Sequence, residues 1–444
     1  MGIETVWNGK VRGRRGRAAR VVALMLALAG SAAAGETLLV SATPTGSSGD
    51  LESGGVFGKQ SISRSGRYVA FESRASDLGP EDSNNDWDIY VWDRKKESRV
   101  RASLPFDGDP ASGAGLNASL SANGRYVAFQ SSTTVMVDGG EVDFDSDIFL
   151  HDLKTGVTTW VSVDSAGSEL TGQSHNPFVS ANGRWIVFQS TAAFDPADDN
   201  GTVDIYLHDR KKGATLLVSA DSNGAPVQGD SIGASVSANG RYVVFESSAS
   251  DLVADDGNGL TDVFLRDVKL GITTRLSVNA AGEEGDGTSQ SAMISGNGRF
   301  VAFSSRATNL VEDDGTSIAD VFVRDLKLGT IERVSLDAQG DDADNDCSWP
   351  WITHNGRFVA FESVATDLST EFDGNGDWDI YLHDRKADST LRASVTTEGG
   401  AVQGSSYGAV VSFNGQFVAF ESDAADLAPG DDNDARDIFV RDTK

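Results

Sequence analysis

Cysteine is nearly missing from this 444-residue chain: Cys347 stands alone, so no intramolecular disulfide can form. Stability must come from burial and hydrogen bonding, which a chain of this length can supply. Basic side chains are scarce as well, 37 against 66 acidic ones, for a formal net charge of −29. That excess repels nucleic acid and anionic membrane surfaces and favours cationic partners or metal ions. The sequence has no Cys/His cluster, Ser-His-Asp arrangement or phosphate-cradling glycine loop. Beyond residue 34 it shows no sustained helical period and no long apolar run.

The apolar run that does exist, "VVALMLALAG" at 21–30, is too short to span a bilayer as a permanent helix. Five arginines and Lys10 precede it, and "SAAAG" follows. This is the layout of a secretory signal peptide, with Ala32 and Ala34 at the small positions before a cut near Gly35. Arg14 and Arg15 lack the apolar positions that usually follow a twin-arginine pair. Residues 1–34 are therefore expected to be a signal peptide and residues 35–444 the exported product. The first segment carries six basic side chains and one acidic one, so the remainder has a net charge of −34. A bacterial product, periplasmic or secreted, monomeric and without stable membrane insertion, is the expectation.

What the sequence has in abundance is repetition. "SGRYVAF" at 65 recurs as "NGRYVAF" at 123, "NGRWIVF" at 182, "NGRYVVF" at 239, "NGRFVAF" at 297 and 355, and "NGQFVAF" at 414. Successive glycines lie 57 to 59 residues apart, giving seven copies. Each copy reads as four short strands rich in β-branched and aromatic residues. Asn-Gly between the first two predicts a type I′ hairpin with two residues at positive φ. Seven four-stranded units fit an all-β, seven-bladed β-propeller. The seventh copy holds only three strands before Lys444, and "TLLVS" at 37–41 has the make of a fourth. The N-terminal strand is thus predicted to complete the last blade and close the ring.

The unit "NGRYVAF…DIYVWD" resembles the TolB-like, WD-repeat-like propeller repeat over nearly all of residues 36–444. The resemblance implies the fold and little chemistry. The blades are longer than usual for that family. No length remains for a separate N-terminal or peptidase domain, so neither TolB-type transport nor peptidase activity is expected.

Among the repeated polar residues, Arg67, Arg125, Arg184, Arg241, Arg299 and Arg357 follow the turn, and an Asp ends the third strand in every copy. These predict one cross-strand ion pair per blade, with Gln416 opposite Asp442 as the weak rung. His151, His208 and His383 share one repeat position and therefore cannot converge. His354 replaces a turn residue, and His175 is expected near the channel. Glu72, Glu246, Glu362 and Glu421 near the end of strand two read as supports for loop backbone. Cys347 stands where other copies carry Ser, Gly or Phe, which predicts a small buried side chain.

The loops between strands two and three are acidic: "DSNNDWD" at 82, "EVDFDSD" at 141, "DNGTVD" ending at 204, "DGNGLTD" at 256, "DGTSIAD" at 314, "DGNGDWD" at 373 and "DDNDARD" at 431. Oxygen-bearing side chains at alternate positions suit a hard cation such as calcium. The candidate ligands are Asp82, Asn84, Asp86 and Asp88 in copy one, and Asp143, Asp145 and Asp147, preceded by Glu141, in copy two. Copy six offers Asp373, Asn375, Asp377 and Asp379. The same residue types also build turns without any ion.

Near-symmetry of the copies favours a non-enzymatic binding or scaffold propeller that offers an acidic loop face to a protein or glycan. The largest deviation is "DADNDCSWPWITHNG" at 342–356, where Trp349 and Trp351 join Cys347 near the channel; aromatics there can stack on a sugar, though filling the inner strand is the commoner reason for them. The alternative is an exported hydrolase or polysaccharide lyase with its site at the channel mouth. Its catalytic residues are not legible in the sequence.

Overall fold

The computed structural model describes residues 35–54, 61–79, 82–109, 112–133, 135–138, 145–312, 314–370 and 374–444. The expected signal peptide lies outside them. Every regular element is a short strand, and the strands form seven four-stranded antiparallel sheets, each in simple meander order. Blade one, for example, runs Ser61–Ile62, Tyr68–Ser73, Asp88–Asp93 and Ser98–Arg101 from inside to outside. No helix among the described residues is long and apolar enough to cross a membrane.

Blade seven is the exception in chain order. Its inner three strands, Ser406–Val411, Phe417–Ser422 and Asp437–Asp442, are followed by Thr37–Leu39 as the outermost strand. Leu38 lies opposite Val440 and Leu39 opposite Phe439. Val40 beyond them is fully buried. The expected closure is therefore present. Burying side chains of this size contributes roughly 1.5–3 kcal/mol each, and the pairing covers what would otherwise be an open sheet edge.

The core follows from alternation. Each strand sends alternate side chains to opposite faces, and each face packs on a neighbouring blade. Seven apolar clusters result, one for each blade-to-blade interface. The cluster between blades seven and one joins Val410 and Phe417 to Ile62 and Phe71, with Leu38 packed against it. Leu39 packs instead on the cluster between blades six and seven.

The repeated glycine serves this packing directly. Gly124 has φ +69°, and a Cβ there would lie 2.1 Å from the Tyr68 ring of the preceding blade. Gly66 stands in the same relation to Phe417, which carries the contact across the closure. The turn itself differs from expectation. Only the glycine of each Asn-Gly pair has positive φ, so the turn is not type I′. The loop is longer than a two-residue turn: in blade two, Gly124 N–H bonds to the Ser121 carbonyl at 2.8 Å, and the Asn123 side-chain oxygen accepts from Ser121 Oγ and Arg125 N–H. Asn serves as a side-chain brace here, so it keeps an ordinary backbone conformation.

The cross-strand ion pairs form in the first six blades, with Arg Nη2 to Asp Oδ2 distances of 2.5–2.7 Å. Arg125 holds the Asp152 carboxyl down to about 2. In blade seven Gln416 makes only a neutral 3.2 Å bond to Asp442.

Closure can be tested by a disulfide. Leu38→Cys with Val440→Cys should crosslink under mild oxidation, because these residues are direct cross-strand partners. The oxidised protein should unfold at a higher midpoint than the reduced one, by an amount approaching about 4 kcal/mol for so long a loop. Failure to crosslink would show that the two strands are not neighbours.

Candidate functional site

Strand two of most blades carries a carboxylate near its end, and the structure gives it a partner in the next blade. The inner strands of blades two to seven are bulged, and the bulge residue has positive φ, as at Asn117, Asn176, Ser291 and Trp349. Glu72 Oε1 accepts the Asn117 N–H at 2.5 Å, Glu246 Oε1 that of Ser291 at 2.6 Å, and Glu362 Oε1 that of Gly408 at 2.6 Å. Gln130 does the same for Asn176 at 3.0 Å. Glu72, Glu246 and Glu362 thus support backbone, as expected, and with Gln130 they tie blades one, two, four and six to their successors, whereas Glu421 bonds Arg436 of its own blade. The glutamates are buried, and burial pushes Glu362 up to about 7 and Glu421 up to about 8, with Arg436 opposing both.

The bulges surround a cavity of 370 Å³ at the channel mouth, on the face that carries the acidic loops. Phe178, Met293, Trp349, Trp351 and Tyr407 supply apolar and aromatic walls, and Glu246, Glu362, Glu421 and Arg436 supply charge. Trp349 is the outlier. At the bulge position blades two, three, four, five and seven place Asn, Gly or Ser, whereas this large ring is held at φ +51° with 52% of its surface exposed. Left-handed backbone is unfavourable for a bulky side chain, and such strain concentrates at sites that use it. Trp351 lines the mouth too, as expected. Cys347 does not; it is fully buried, and its thiol meets Ser363 Oγ at 3.2 Å. Blades three, four, five and seven place a Ser–Ser bond there, so this cysteine replaces a structural serine.

At the opposite end Arg64, His354 and Phe413 line a second cavity, with the Arg64 guanidinium 3.9 Å from the centre of the Phe413 ring. His175, expected near the channel, is half-buried and lines neither cavity. His151, His208 and His383 are buried on separate blades, each with Nδ1 3.0 Å from a threonine hydroxyl. They do not converge, as the repeat spacing requires.

In the acidic loops the last aspartate bonds to a serine of the outer strand in every blade, as in Asp88–Ser103 at 2.5 Å and Asp147–Ser162 at 2.6 Å. Asn84 and Asn375 act as braces. The side-chain oxygen of each accepts the N–H two residues on, and the amide donates to the Gly113 or Val402 carbonyl. Asp145 accepts from Gly172 N–H and Gln173 Nε2, and Asp377 from Gly404 N–H. Asp86 is exposed. Asp143 and Asp373 lie outside the described residues. The structure therefore brings Asp82 together with Asp88, and it brings an arginine with them.

That arginine is what sequence reasoning missed. Arg101 Nε lies 2.7 Å from Asp88 Oδ1 and Nη1 3.6 Å from Asp82 Oδ1. Arg275, Arg333 and Arg392 occupy the same outer-strand position in blades four, five and six and reach the matching aspartates. The signal was in the sequence as "RAS", "RLS" and "RVS", where the serine is the aspartate's partner. Among the described residues Asp256, Asp262 and Glu284 form the one carboxylate triad whose oxygens are close enough to hold a metal ion. Arg275 sits in it, bonded to Glu284 and 3.5 Å from both aspartates. A guanidinium thus already supplies the positive charge there.

No protein-family model matches the sequence, and no curated protein matches it. Solved structures do. TolB from Acinetobacter baumannii is 16% identical with a TM-score of 0.42, over 77% of this chain and 66% of that one. An oligogalacturonate lyase in complex with manganese is 12% identical with a TM-score of 0.50, over 86% and 88%. The propeller domain of the Trilobed protease from Pyrococcus furiosus, described as having an open velcro topology, is 12% identical with a TM-score of 0.53, over 88% and 96%. The likeness is one of fold, the β-propeller.

Two outcomes follow from the buried charges. Arg275→Met should cost on the order of 3–5 kcal/mol in denaturant unfolding, because it leaves three carboxylates uncompensated. Stability should also fall with rising pH. A glutamate in the unfolded chain ionises near about 4.3, whereas Glu362 and Glu421 keep their protons to about 7 and about 8. The folded state therefore binds more protons in that window, and its advantage is lost as pH rises through it. Melting curves between pH 5 and 9 should show this decline, and Glu421→Gln should flatten it.

Proposed function

We propose that this chain is an extracytoplasmic binding propeller whose channel mouth takes part of a protein or glycan partner. Trp349 carries the reading. An exposed indole held in strained backbone, beside Trp351, Tyr407 and Phe178, offers a flat stacking surface within a cavity of 370 Å³. The surrounding face is strongly acidic, so the partner segment is neutral or cationic. The signal-peptide layout of residues 1–34, an expectation from sequence, supports a place outside the cytoplasm. A hard cation on the same face belongs to this reading, and the arginines already at work in four loops restrict where it can sit.

A second reading, a hydrolase or lyase at the same mouth, has one observation in its favour. Glu362 and Glu421 hold protons near neutrality, as a general acid must. Glu362 is engaged with the Gly408 backbone, however, which favours support over proton transfer.

Tryptophan fluorescence and calorimetry with neutral oligosaccharides, acidic oligosaccharides and lysine-rich peptides test the proposal. A neutral or basic probe should bind, and Trp349→Asn should weaken it on the order of tenfold. The melting temperature should hold, since Asn stands at this position in blades two and three. Undiminished binding by the variant would place the site elsewhere, and turnover abolished by Glu421→Gln would favour the enzyme.

A further inference from the structure

The seven acidic loops are near copies, so the way each neutralises its charge can be compared position by position. The aspartate opening the third strand gives one oxygen to the outer-strand serine, and its carboxylate lies near the first aspartate of the loop. Blades one, four, five and six bring a buried arginine to that place. Blade three has Leu217 there instead. It compensates with the Tyr206 hydroxyl, which donates to Asp198, and with Asn200 Nδ2, which donates to Asp204 Oδ2 at 2.9 Å. In blade two the start of the loop lies outside the described residues.

Blade seven has neither the arginine nor the tyrosine hydroxyl. Leu39 occupies the arginine position, and its partner Phe439, where blade three has Tyr206, bears no hydroxyl. Asp437 is completely buried. Its Oδ1 is held by Ser41 Oγ at 2.5 Å, while Oδ2 has no hydrogen-bond partner. Oδ1 of Asp431 is also buried without one. Asn433, the counterpart of Asn200, gives its amide to the Gly49 carbonyl at 2.7 Å and also bonds Asp437, which supplies a neutral donor and no positive charge. Arg436, the nearest basic side chain in sequence, is engaged with Glu421 at 3.2 Å and Asp423 at 2.9 Å. Asp432 and Asp434 add further negative charge to the pair. Leaving two facing carboxylates in such a place without a counter-charge is strongly unfavourable.

We infer that Asp431 and Asp437 of blade seven bind a hard divalent cation of the calcium class, in the place that a guanidinium fills in blades one, four, five and six. All the donors are oxygens, which suits such an ion, and loop carbonyls and water can complete its shell. The ion would sit within the blade that joins the two ends of the chain, so its occupancy bears on ring closure. This inference stands independently of any partner at the mouth.

The test uses the full chain stripped with a chelator and then titrated with calcium, and separately with manganese, while melting temperature and heat of binding are read. Millimolar calcium should raise the melting temperature by about 2 °C or more. Leu39→Arg installs the cation of the other blades, and Asp431→Asn removes one of the opposed charges. Each variant should melt higher than the stripped wild type and should lose the calcium response. No shift in the wild type with either ion would overturn the inference. So would a shift that survives undiminished in both variants, since the ion would then lie in another loop.

Discussion

The structure depends on one pairing, that of Thr37–Leu39 with Asp437–Asp442. A four-stranded blade is apolar on both faces and cannot cover either by itself, so each blade is stable only between two neighbours. Closing the ring supplies the last of seven equivalent interfaces. The pairing is also chemically ordinary: Ser41 bonds Asp437 just as Ser103 bonds Asp88 and Ser219 bonds Asp204. The chain completes its last blade with the rung it uses in every other.

Charge is the second constraint. The propeller carries a large acidic excess, yet ten of its arginines are placed in two structural rings. One ring pairs strand two with strand three on the turn side, as at Arg184–Asp209. The other, more deeply buried, sits among the acidic loops at Arg101, Arg275, Arg333 and Arg392. Acidity on the loop side is thus compensated inside four blades, while the exposed carboxylates give the outer surface its sign. Blade seven departs from that pattern at the point where the chain's two ends meet.

Departures from symmetry also define the mouth. The bond from the end of strand two to the next blade's bulge recurs in four blades, which marks it as architecture. What does not recur is Trp349, a ring of large area in a conformation that Asn, Gly or Ser adopts elsewhere. A position that departs from its structural template in size and in exposure together is one where packing alone does not explain the residue.

Much of this was legible from sequence alone. A period of 57 to 59 residues, strands of alternating pattern and a copy short of its fourth strand determine a closed seven-bladed ring, because alternation and edge pairing are local rules. Cross-strand ion pairs and the non-convergence of the histidines follow from the same spacing. The turn beside Gly124 did not, since Asn123 uses its side chain to brace the loop, which no dipeptide pattern reveals. The loops were misleading for a related reason. Alternating oxygens at Asp82, Asn84, Asp86 and Asp88 look like a ligand set, yet a backbone brace at Asn84 and a buried guanidinium from Arg101 claim several of them. Only the tertiary structure decides which carboxylates already have a counter-charge, because that partner comes from a different strand, outside the loop's own sequence.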